Sequence, residues 1–255
     1  MSKVDVIIMA GAPADPDMCA PGEEISRAMI KIAGKTMIQW IMDALNKSET
    51  IHRKIAVGDV TADGLDEVVQ PGSGFLDNLM LGLERCQGAD RVLVMTSDIP
   101  MLTPEAVDDY VNRAIDSGGD MCYPIVTQRA CLEKYPHMKR TYLKTAEGMF
   151  TGGNMMILST GFLKRNQELI SEAYNARKNP VKLASMIGFG FLFRLILAQV
   201  LAPSLLPIPM LERSLSKALK CKIVAIRTDY PEIGADVDKP SDLSDVQTVL
   251  GERRI

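Results

Sequence analysis

The chain predicts an α/β protein with a doubly wound, mostly parallel sheet, and three features carry that reading. Its first half alternates β-like and helical apolar patterns, the signature of successive βαβ units. Its β-like runs, Val4–Met9 and Val92–Thr96, are apolar at nearly every position, as suits strands covered on both faces. The second run stops abruptly at Ser97-Asp98-Ile99-Pro100. A carboxylate at the carboxyl end of such a strand sits where open α/β sheets bind ligands.

The elements follow in order. After the strand Val4 to Met9 comes a polar, proline-containing loop, Gly11 to Glu24. Met37, Ile38, Trp40, Ile41, Ala44 and Leu45 recur at helical spacing, with Thr36 placed to cap that helix. A short strand is expected at Lys54 to Val57, then Val68-Val69, then a helix marked by Leu76, Leu79, Met80 and Leu83. The strand ending at Asp98 follows, then a helix through Val107, Tyr110, Val111 and Ala114, closed by Gly118-Gly119. The second half is less regular. Strands are expected at Met121 to Val126, Lys139 to Lys144, Gly153 to Leu158 and Lys222 to Arg227, some antiparallel, with a closing helix from Asp238-Lys239-Pro240. No repeat or linker appears, so residues 1–255 read as one domain with a helical apolar insertion at about 180–217. Between Met186 and Leu211 the only charge is Arg194, but Pro203, Pro207 and Pro209 break the run. A membrane span needs roughly 20 unbroken apolar residues, so a buried or subunit-contact helix is expected, with membrane-surface contact through Phe189–Leu206 as the lesser reading.

Composition excludes several classes. With 47% hydrophobic and 24% charged residues the chain is an ordinary globular protein, and a net charge of -3 offers no basic field for nucleic acid. Five scattered cysteines without a C-x-x-C pair, and two histidines, argue against a zinc site or a disulfide scaffold. Reduced thiols and a first apolar run too short for a secretory signal point to the cytoplasm.

Four pieces suggest one site. The first is the loop at Ala10-Gly11, with Arg27 and Lys31 downstream, where backbone amides and basic side chains suit phosphates. The second is Gln70-Pro71-Gly72-Ser73-Gly74, whose small residues let the backbone approach a flat ligand such as a nucleobase, or simply form a turn. The third is Asp98, a hard oxygen ligand for Mg²⁺ held jointly with substrate phosphates, or else the cap of its own turn. The fourth is Gly234-Ala235-Asp236-Val237-Asp238-Lys239-Pro240, where Asp236 or Asp238 either completes a Mg²⁺ site or caps the last helix.

In sequence order, Ile8-Met9-Ala10-Gly11, Arg27 to Ile38, Thr96 to Pro100 and Asp236 to Leu243 resemble the MobA-like nucleotidyltransferases. The resemblance implies a Rossmann-like, GT-A type fold. It also implies Mg²⁺-dependent transfer of a nucleoside monophosphate from an NTP to a phosphorylated acceptor, with release of pyrophosphate. By it, Asp98 matches the family's metal-binding aspartate, and Asp236 or Asp238 the second metal position. Ala10 and Gly11 match the nucleotide loop, and Gln70 to Gly74 resembles the base-contacting segment. Phe150 to Asn154 resembles the strand facing the acceptor. Two departures stand out: Gly11 is followed by Ala12-Pro13-Ala14-Asp15-Pro16 rather than further glycines, and Arg27 stands where the family has its catalytic lysine. Arginine still binds phosphate bidentately, with Lys31 in support. The departures keep open a nucleotide-binding regulatory protein without turnover. A GT-A glycosyltransferase is a further alternative, although Ser97-Asp98-Ile99 lacks the usual Asp-x-Asp pair.

Overall fold

Val4–Met9 is buried at all six positions because its alternate side chains face two different helical layers. Val4, Val6 and Ile8 join one apolar cluster, Ile7 and Met9 another. This strand, β1, lies inside the sheet of a computed structural model that describes residues 3–20, 22–176, 189–200 and 202–252. The chain then forms β2 (Lys31–Ile32), β3 (Lys35–Thr36), α1 (Met37–Leu45), β4 (Ile51–Val57), β5 (Glu67–Val69), α2 (Phe75–Arg85), β6 (Arg91–Thr96) and α3 (Pro104–Ser117). The second half adds β7 (Met121–Thr127), α4 (Gln128–Lys134), β8 (Leu143–Thr145), β9 (Gly148–Gly152), β10 (Met155–Ser159), α5 (Thr160–Arg165) and α6 (Gln167–Ala176). After the residues outside the described set come α7 (Phe189–Val200), α8 (Ile208–Leu219), β11 (Ile223–Thr228) and α9 (Pro240–Glu252).

The main sheet runs β5-β4-β1-β6-β10-β7-β9-β8, with β11 on the other side of β7. β5, β4, β1 and β6 are parallel, as are β7 and β11, while β10 runs antiparallel to both β6 and β7. The sheet is therefore mixed but mostly parallel. Helices α1 and α3 cover one face through Ile38, Ile41, Leu45, Val107, Tyr110 and Val111. Helices α2 and α5 cover the other through Leu79, Leu83, Phe162 and Leu163. The caps follow the sequence: the Thr36 hydroxyl accepts from the Gln39 amide, and α3 begins at Pro104 and ends at the left-handed Gly118.

Opposite β7, β9 and β10 form one interrupted strand. Gly152 pairs with Ile125 and Ile157 with Cys122, so five residues of advance on one side meet three on the other. The two extra residues, Gly153 and Asn154, bulge out of the ladder at the carboxyl edge of β6. There the Thr96 amide donates to the Asn154 carbonyl (3.0 Å).

Three expectations shift at their ends. The strand placed at Lys54 to Val57 begins at Ile51, because Ile51 pairs with Val4. The strand placed at Gly153 to Leu158 begins at Met155, past the bulge. The strand placed at Lys139 to Lys144 is confined to Leu143–Thr145, since Arg140 is drawn instead to Asp236. Of the apolar insertion placed at about 180–217, residues 180–188 and 201 lie outside the described residues. α7 docks on the edge strand β8 through the Gln199 side chain, whose amide accepts from the Lys144 N–H (2.8 Å) and donates to its carbonyl (2.9 Å). Ile196 and Val200 remain exposed on α7. Among the described residues no helix is long and apolar enough to cross a membrane.

Candidate active site

The loop after β1 is pinned from two sides. Ala10 is buried; its amide donates to the Val57 carbonyl (2.9 Å) and its carbonyl accepts from the Ser26 hydroxyl (2.6 Å). Gly58, at φ +155°, abuts it so closely that a Cβ there would sit 2.4 Å from the Ala10 carbonyl. The Arg27 amide donates to the Ala12 carbonyl (2.9 Å), which fastens the loop to the turn that carries Arg27. Among the described residues the amides of Gly11 and Ala12 have no acceptor in the protein. Such a pair of unpaired amides suits a phosphate oxygen.

A cavity of about 310 Å³ opens over this loop, with Gly11, Ala12 and Arg27 on one wall and Gly72, Ser73 and Gly74 on another. Asn78, buried on α2, accepts from the Gly72 amide (2.7 Å) and so sets the path of the glycine-containing loop. Gln70 and Lys31 are exposed and line neither this cavity nor the one beside it. Two residues that the sequence reading passed over close the far wall: Phe75 of α2 and Tyr174 of α6 stack with centroids 4.5 Å apart and planes 5° from parallel. An aromatic pair beside a loop of small residues is a surface on which a flat base can lie. Tyr174 carries no local motif; only the packing of α6 onto α2 brings it here.

Asp98 lies at the floor of the same cavity, at the end of β6. The Thr96 hydroxyl donates to one carboxylate oxygen (2.5 Å), and the Arg27 guanidinium lies 3.3 Å from the other. Arg27 also reaches Asp238, at 2.5 Å. Burial pushes the Asp98 carboxyl above the usual carboxylate range; Thr96 and Arg27 oppose that, and the Asp238 charge adds to it. The Arg27 Nε is buried with no partner, so one donor of the fork still lacks an acceptor.

Asp238 arrives from 140 residues further along the chain. The Val237 amide donates to the Asp98 carbonyl (2.9 Å), and buried Ala235 and Val237 alternate with Asp236 and Asp238, which therefore point the same way. The two acids nevertheless part company. Asp238 meets Arg27, whereas Asp236 is taken by Arg140, which also donates to the Asp236 carbonyl (3.1 Å). Asp238 thus shares Arg27 with Asp98, while both Asp236 and Asp238 line a second cavity of about 500 Å³ with Asn154, Lys139, Arg140 and Lys239. The ammonium groups of Lys139 and Lys239 have no carboxylate partner among the described residues.

No cluster of three metal-binding side chains occurs among the described residues. The donor set still fits a hard cation, because two carboxylates converge on one position that the guanidinium of Arg27 occupies. Mg²⁺ is held by one or two carboxylates completed by substrate phosphates and water, so a larger cluster is not required.

This mixed, mostly parallel sheet with its covering helices is shared with solved cytidylyltransferases of the nucleotidyltransferase fold. Residues 18–181 match the MobA-like NTP transferase domain, and the chain belongs to that family. A hypothetical transferase from Thermus thermophilus is 32% identical and superposes with a TM-score of 0.83, over 94% of this chain and 99% of that one. CMP:2-keto-3-deoxy-manno-octonic acid synthetase, solved with CTP, shares the fold at 14% identity, with a TM-score of 0.58 over 99% of this chain and all of that one. The 2-C-methyl-D-erythritol 4-phosphate cytidylyltransferase of Thermus thermophilus does so at 15% identity, with a TM-score of 0.54 and the same coverage. The bifunctional protein GlmU of Desulfitobacterium hafniense is 26% identical over 103 residues; the match spans 36% of this chain and 22% of GlmU.

Proposed function

We propose that the protein transfers a nucleoside monophosphate from an NTP to a phosphorylated small-molecule acceptor in a Mg²⁺-dependent reaction that releases pyrophosphate. The observation that supports this most directly is the Arg27 guanidinium held between Asp98 and Asp238, at the boundary of the two cavities. A cation and two hard oxygen ligands thus stand where a donor on one side would meet an acceptor on the other. The base lies between Gly72–Gly74 and the Phe75–Tyr174 pair. The phosphates lie on the Gly11 and Ala12 amides. The acceptor lies by Asn154, Lys139 and Lys239.

An acceptor phosphate oxygen forms the new bond to the α-phosphorus, the bond from that phosphorus to the β-bridging oxygen breaks, and pyrophosphate leaves with the electron pair. The protein contributes position and charge rather than covalent help. Arg27, through its free Nε and its fork, offsets charge building on the α-phosphate. Asp98 and Asp238 would hold Mg²⁺, which supplies charge neutralisation at the phosphates. Asp236 keeps Arg140 turned toward the acceptor. The whole chain acts as one catalytic domain with α7 and α8 as its insertion, and its free cysteines suit the cytoplasm.

The test is pyrophosphate release from each of the four NTPs with Mg²⁺, against a panel of sugar and cofactor phosphates. Turnover with one pair, abolished in Asp98→Ala while the circular dichroism spectrum is unchanged, is expected. Full Mg²⁺-dependent activity in Asp98→Ala would overturn the assignment.

A further inference from the structure

We propose that the acceptor carries its phosphate on an apolar chain, and that this chain lies in a cavity beside the acceptor site. The proposal rests on the nucleotidyl-transfer reading for the acceptor's identity, and on geometry for the apolar part. A third cavity, of about 280 Å³, lies between α8 and the half-buried face of β7, β9 and β11. Its walls are Leu143, Phe150, Ile208, Leu211, Leu215 and Ala225. Two of the polar groups that line it, on Glu212 and Thr145, are engaged within the protein. The Glu212 carboxylate accepts from the Ala225 amide (2.8 Å), and the Thr145 hydroxyl donates to the Gly148 carbonyl (3.0 Å).

Adjacency to the acceptor cavity argues for a ligand that reaches past the Tyr123 ring. Tyr123, Thr151 and Gly152 line both cavities. Gly152 is the point of contact: a Cβ there would overlap the Tyr123 hydroxyl, so the absence of a side chain lets the Tyr123 ring lie across the junction. Tyrosine has an apolar body and a polar tip, which suits a boundary between a wet site and a dry one. On the wet side, Lys139 and Lys239 offer charges for a phosphate among the carboxylates of Asp236, Asp238, Asp242 and Asp245, of which Asp236 and Asp238 are paired with Arg140 and Arg27. An apolar concavity of this size with a few polar groups at its edge is the ordinary form of a small-molecule site. One amphiphile with a phosphate head and an apolar tail satisfies both cavities.

The experiment is calorimetric titration of the full chain with ethyl, butyl, hexyl and octyl phosphate below their micelle concentrations, with glycerol phosphate and octanol as controls. Binding is expected to tighten about fourfold for each methylene that enters the cavity, and Leu211→Trp and Ala225→Leu, which fill it from opposite walls, are expected to flatten that dependence. A flat series in the unmodified protein would overturn the proposal. So would an undiminished slope in both folded variants, octanol binding as tightly as octyl phosphate, or binding only to phosphatidic acid vesicles. A steep series without pyrophosphate release would uphold the cavity and overturn the transfer reading; turnover of sugar phosphates with a flat series would do the reverse.

Discussion

Arg27, which by the resemblance stands where the family has lysine, is held in surroundings that suit a guanidinium. A single ammonium is a point charge, whereas the guanidinium here reaches Asp98 and Asp238 and keeps a buried Nε in reserve. Arg27→Ala is expected to lower kcat/KM at least tenfold, about 1.4 kcal/mol of barrier, with Arg27→Lys retaining measurable activity; equal rates for the two variants would contradict a phosphate-neutralising role. Asp108 illustrates a carboxylate with a structural task. Burial pulls its carboxyl upward, but the hydroxyls of Ser48 and Thr50 and the amides of Glu49 and Thr50 outweigh that and hold it below the usual range. A group that ionises more readily folded than unfolded stabilises the fold above its unfolded pKa of about 3.9, and that contribution is lost as pH falls below it. Asp108→Asn should therefore cost about 1–2 kcal/mol at pH 7 and much less near pH 3. Urea unfolding at the two pH values checks this; a gap independent of pH would refute it.

Individual elements act on the site mainly by where they end. β6 delivers Asp98 because its apolar run must stop where the sheet meets solvent, and the Gly153–Asn154 bulge lies beside that end. α6 contributes through one side chain. If the Phe75–Tyr174 pair receives the base, Tyr174→Ala should raise the KM for NTP several-fold, stacking being worth about 1–3 kcal/mol per base, while the KM for the acceptor changes little. A rise in the acceptor KM alone would assign Tyr174 elsewhere. The helix–strand pattern of the first half, the Thr36 cap and the Gly118 close were all legible in the sequence, because each depends on neighbours within a turn or two. The confinement of strand pairing to Leu143–Thr145 was not, because the Arg140–Asp236 contact that diverts the chain spans 96 residues.

At the scale of the molecule, the site is closed by chain ends of the sheet that lie far apart in sequence: Gly11 and Arg27, the Gly72 loop, Asp98, Asn154 and Asp238. Ligand binding to so distributed a site should stabilise the whole fold. At one hundred times its dissociation constant an NTP with Mg²⁺ would add about 2.7 kcal/mol, a rise in Tm of about 5–10 °C for a chain of this size. Differential scanning calorimetry should show that shift, and should show it lost in Asp98→Ala; equal shifts in both proteins would remove Asp98 from the ligand site. The amino-acid order alone marked out the α/β class, the family, the loop at Gly11 and the acid at Asp98, since apolar periodicity and short motifs are local properties. Folding in three dimensions was needed to set Asp238 beside Arg27 and Asp236 beside Arg140, to bring Tyr174 against Phe75, and to open an apolar cavity beside Tyr123. Those outcomes turn on which distant side chains compete for one cation or pack on one face, and no window of neighbouring residues contains that competition.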